Sequence, residues 1–108
     1  MMVREKVLYA VDYLLDGKRV AVVCRTHLDV ERFFGEVMTL VGRFDGISVT
    51  GRGMEAVVKL GDGCILITAI MPRGASADVA ILDEYATSVD DFDYARMCVI
   101  PRGGRVIS

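Results

Sequence analysis

VAILDE, residues 79–84, decides how the rest of the chain is read. Four apolar residues suit a strand buried on both faces. The run then ends abruptly in Asp83 and Glu84. Adjacent carboxylates at a strand end admit two readings. Either they carry chemistry, with Asp83 turned to a metal and Glu84 to a water, or the strand simply enters a solvated turn. What else the chain brings to that end bears on the choice.

Upstream, Val3, Val7, Val11 and Leu14 fall at helical spacing, with Leu8 and Leu15 beside them and Arg4, Glu5, Asp12 and Asp16 on the other face. Gly17 is placed to stop that helix. RVAVVC, residues 19–24, is a β-branched run that predicts a strand covered on both sides. Thr26 can cap the next helix, with Asp29 three positions on, and Phe33, Phe34, Val37, Met38 and Val41 form its inward stripe before Gly42. Between Gly46 and Ala69, three extended runs are separated by Gly51-Arg52-Gly53 and Gly61-Asp62-Gly63, the pattern of an antiparallel meander. After VAILDE, TSVDDFDYARM predicts a short helix capped by Thr87 or Ser88. MCVI (97–100) and GRVIS (104–108) read as extended runs.

Strands alternating with helices predict one α/β domain over residues 1–108, in three layers, with a mainly parallel sheet and an inserted antiparallel hairpin or meander. Ligands of such sheets lie at the carboxyl ends of the strands. That rule would gather Arg25-Thr26-His27, Asp83-Glu84 and Ser108 at one edge.

The composition sets bounds. With 108 residues, 53% of them apolar, the chain can bury a genuine core. No apolar run nears the roughly 20 residues of a membrane helix, and charges interrupt the N-terminal MMVREKVLYAVDY too often for a signal peptide. A soluble, cytoplasmic protein is expected. Three scattered cysteines and a single histidine, His27, suit packed thiols rather than a zinc site. A net charge of −2 provides no basic field for nucleic acid, and the acidic stretch from Asp78 to Asp93 reads as a solvated face.

Four blocks resemble, in order, the RecA-like ATPase core of phage terminase large subunits and related helicases. They are GKRVAVVCRT (17–26), AVVKLGDGCILITA (56–69), RGASADVAILDEYA (73–86) and VIPRGGRVIS (99–108). The third is the most specific: Arg73-Gly74, a spacer, Asp78, then a Walker B-like strand. The resemblance implies that Asp83 holds magnesium and that Glu84 orients the attacking water as catalytic base. It sets Arg73 ahead of that strand and matches Ser108 to the first residue of a coupling motif, both as nucleotide-side positions. Magnesium's preference for hard oxygen ligands and a base in line with phosphorus give that assignment its logic.

The family's phosphate loop, G-x-x-x-x-G-K-[ST], is absent: Gly17-Lys18 is followed by Arg19 and has no earlier glycine at the required spacing. Without it nothing cradles the β-phosphate. The chain alone is therefore expected to be no enzyme and to take no cofactor. Mg-ATP enters only if a partner chain completes the site. The expected function is a non-catalytic, degenerate terminase- or helicase-like module, encoded by a phage or mobile element and acting as a small interaction protein. The alternatives are an ATPase half-site or a nucleic-acid-binding accessory module, with a partner chain supplying the phosphate loop. In the RecA-like sheet the missing loop's strand would flank the coupling-motif strand. Its loss makes Met97–Ile100 or Arg105–Ser108 an edge, to be covered by a homodimer or protein partner, or by the chain's own C-terminal strand.

Overall fold

The first helix shows how local sequence sets the boundaries of the elements. In the computed structural model, which describes residues 3–51 and 53–108, α1 spans Val3–Leu15. It closes on Gly17 at φ 76°, with the Lys18 N–H donating to Tyr13 O and the Gly17 N–H to Leu14 O. These two bonds are the Schellman pair, which needs a left-handed residue at this position. Strand β1 (Arg19–Val23) follows, then α2 (His27–Val41), β2 (Ser48–Thr50), β3 (Glu55–Leu60), β4 (Gly63–Thr68), β5 (Val79–Leu82) and α3 (Val89–Val99). A 3₁₀ turn (Ile100–Arg102) leads into β6 (Arg105–Ile107).

The six strands form one mixed sheet in the order β2-β3-β4-β1-β5-β6. Strands β4, β1, β5 and β6 are parallel neighbours, and β2-β3-β4 is the antiparallel meander. β1 is central, pairing Val20 with Ile65 on one side and with Val79 on the other. Side-chain alternation then divides the core. Val20, Val22, Ile65, Ile67, Val79 and Ile81 pack against α1 and α2. Ala21, Val23, Ala80 and Leu82 pack against Ala95 and Val99 of α3. Helices therefore cover both faces of an α/β domain with a mostly parallel sheet. The β4–β5 connection crosses on the α3 side, where the Tyr94 hydroxyl donates to Pro72 O at 2.7 Å.

Close approach fixes one further residue. A Cβ on Gly63 would overlap Leu14 O, so only glycine lets β4 begin directly beneath the end of α1.

Three expectations need correction. Met97–Ile100 is not extended: α3 runs to Val99 and Ile100 starts the 3₁₀ turn. Ala95, Cys98 and Val99 recur at helical spacing and bury one side of α3, which overrides the β-branched character of the segment. Leu8 and Leu15 are 46% and 51% exposed, and Lys6 turns inward at 4%. The C-terminal strand covers no other edge; it pairs with β5 and is itself outermost. The side chain of Val3 and all of Arg52 lie outside the described residues.

Candidate functional site

β5 delivers Asp83 and Glu84 to the carboxyl end of the parallel strands, as the sheet rule requires. The Asp83 N–H donates to Val23 O at 2.9 Å, extending the β1–β5 ladder one residue and fixing where the carboxylate begins. Beside it α2 opens on Thr26, whose hydroxyl accepts from the Asp29 N–H at 3.3 Å and donates to Asp29 Oδ2 at 3.0 Å. One turn into α2 stands Arg32.

Arg32 gathers the site's charge. Its Nη2 donates to both oxygens of Asp83, at 3.0 and 2.9 Å, and lies 3.4 Å from Asp29 Oδ1. Nη1 reaches Glu84 Oε1 at 3.4 Å, and the guanidinium lies 5.4 Å from the centre of the Tyr85 ring, within cation–π range. Its Nε is buried with no acceptor. The Asp83 side chain is wholly buried while Glu84 is 40% exposed, so the two neighbours do different work. Burial raises the Asp83 carboxyl above its ordinary value; Arg32 opposes the rise and Asp29 adds to it. Burial likewise pushes the Cys24 thiol far up, reinforced by the negative charges of Asp83 and Asp29, leaving it without the thiolate that reactivity needs.

Lys6 enters from α1 on the other side. Its ammonium donates to Leu82 O at 2.7 Å, one residue before Asp83. Lys6, Asp83, Glu84, Thr87, Ser88 and Ser108 help to line a cavity of about 460 Å³. The structure thus brings together three of the four residues to which the resemblance gives a place at the site: Asp83, Glu84 and Ser108. Arg73 lies elsewhere, in the β4–β5 connection, lining a separate cavity of about 600 Å³ with Tyr94, Met97 and Cys98. Arg25 and His27 are exposed at the same end as Asp83 and line neither cavity.

Arg32 and Lys6 were not anticipated, though each left a trace in the sequence. Lys6 precedes Ala10 by four residues, a charge set within an apolar stripe. Arg32 follows Asp29 by three, on the side of α2 that faces the strand ends.

The carboxylates that the sequence marked for a metal are engaged by a cation of the chain itself. Both Asp83 oxygens are committed to a guanidinium, and the chain carries no phosphate-loop sequence. Among the described residues, no group of three or more His, Cys, Asp or Glu side chains is arranged to hold a metal ion. Asp29, Asp83 and Glu84 converge on Arg32 instead. No helix among the described residues is long and apolar enough to cross a membrane. In comparisons with protein-family models, with curated proteins and with solved structures, nothing matches this chain.

Proposed function

We propose that the chain is a non-catalytic interaction module related to the RecA-like ATPase core of terminases and helicases, phage- or mobile-element-encoded, in which the former metal corner has become a structural ion pair. One observation carries the reading: Arg32 occupies both oxygens of the fully buried Asp83, where the family resemblance would put magnesium. A carboxylate so held is positioned for stability, because freeing it would leave a charge buried and unpaired. The sheet order supports the reading, since β5 lies between β1 and β6. In this reading the outer side of β6, which no described strand pairs, is the surface offered to a protein partner.

Calorimetric titration with ATP, with and without magnesium, tests it. The expected result is no saturable binding in either case. Saturable, magnesium-dependent binding overturns the reading.

A second reading, the half-site completed by another chain's phosphate loop, is favoured by the cavity that joins Lys6, Glu84 and Ser108 at the correct end of the sheet. It requires Arg32 to release Asp83 when the partner binds. Nucleotide binding that appears only in a partner complex distinguishes it from the first.

A further inference from the structure

α3 buries one side against the sheet, and its opposite side is more apolar than a solvent face requires. Val89, Phe92, Met97 and Ile100 are 75%, 42%, 70% and 67% exposed. At the turn of an α-helix they fall, with Asp93 and Arg96, inside an arc of about 140°. The helical path continues through Ile100, whose N–H still donates to Arg96 O. Asp93 and Arg96 are both exposed, and neither takes part in an ion pair among the described residues.

The order of these six residues reads the same in chemistry from either end. Rotate a copy of α3 about a two-fold axis passing between Tyr94 and Ala95. Val89 then faces Ile100, Phe92 faces Met97, and Asp93 faces Arg96. Aliphatic meets aliphatic, thioether meets aromatic ring, and carboxylate meets guanidinium, each a favourable pair. An isologous contact demands a patch that complements itself, and this patch does.

We propose that α3 of one copy packs antiparallel on α3 of a second copy, forming a two-fold dimer in which each of these three pairs occurs twice. A wholly apolar groove on an unrelated partner fits less well, because it would desolvate Asp93 and Arg96 without pairing them. α3 has 11 residues, a length of about 16 Å, so the contact is small and its association depends on concentration. The dimer does not rest on the nucleotide reading, and it leaves the β6 edge free.

Sedimentation velocity across a concentration series reads the proposal, with charge reversal as the discriminating step. The wild-type chain is expected to show a reversible monomer–dimer equilibrium. Asp93→Arg and Arg96→Asp should each weaken self-association at least about tenfold, since each sets like charges opposite one another twice. An equimolar mixture of the two variants should regain the dimer as a heterodimer, each chain supplying the sign the other lacks. That mixture is its own folding control, because a misfolded chain cannot restore the complex. A monomer at every concentration overturns the proposal. So does a dimer that Asp93→Arg leaves unchanged, as one built through β6 and broken instead by Val106→Pro would be. Single variants that weaken the dimer without rescue on mixing overturn it as well.

Discussion

Arg32 binds three carboxylates with one guanidinium, and the most deeply buried of them is Asp83. Asp29 and Glu84 are longer contacts at 3.4 Å, and Glu84 is 40% exposed, so its pairing is worth less than about 1 kcal/mol. Asp83 is wholly buried, and removing its partner strands a charge. Arg32→Met should therefore cost about 3 kcal/mol in urea unfolding, and Asp83→Asn in the same chain should recover most of it. A loss that the second substitution deepens would show that the arginine acts through its packing and not through the carboxylate. The composition of this corner was half legible. VAILDE announced the two acids because strand and carboxylates are contiguous in sequence. Arg32 was hidden because its meaning depends on a neighbour 51 residues away. Lys6 was hidden because an inward lysine is recognisable only once Leu82 O is known to await it.

α3 owes its start to local chemistry and its end to tertiary packing. Ser88 and Asp91 make a reciprocal box: the Asp91 N–H donates to Ser88 Oγ at 3.1 Å and the Ser88 N–H to Asp91 Oδ2 at 3.2 Å. Ser88→Ala is expected to lower stability by about 1 kcal/mol in chemical denaturation. Ser88→Ala with Asp91→Ala should cost less than the sum of the two, since each substitution already breaks part of the shared motif. Additive losses would mean the two bonds act independently. The cap residues are consecutive polar signals, so the start could be read directly. The end could not, because Cys98 and Val99 favour either structure and the sheet beneath them decides. The meander was legible for the opposite reason. Its turns are set by glycines at 51, 53 and 61 with φ of 83°, 73° and 57°, a purely local requirement.

At the scale of the whole molecule, Asp78 ties together three chain segments at the end of the sheet away from Arg32. Its Oδ2 accepts the Arg19 N–H at 2.8 Å where β1 begins, and its Oδ1 faces Arg102 Nη1 at 3.4 Å in the turn before β6. The Arg19 N–H, with lesser help from Arg102 and against the effect of burial, holds this carboxyl below its ordinary value. A depressed folded-state pKa contributes stability that is complete above the unfolded carboxylate value, about 3.9, and is lost as pH falls through the folded one. Asp83, raised by burial, has the opposite sign and cannot produce that acid loss. Urea midpoints measured against pH should thus fall more steeply below about pH 4 for the wild type than for Asp78→Asn, the two curves converging in acid. Parallel curves would assign the acid sensitivity to other groups. Alternating helices and strands made an α/β sheet with helices on both faces foreseeable, but not its strand order. Each parallel partner of β1 is remote: Arg19 pairs with Cys64 and Val20 with Val79. During synthesis, β1 therefore leaves the ribosome long before either flank exists. While α2 and the first two strands of the meander emerge, the central strand of the finished molecule lies bare along both edges, shielded on one face by two helices. Until Leu82 has been added, those helices and any attendant chaperone are its defence against pairing with a neighbouring nascent chain.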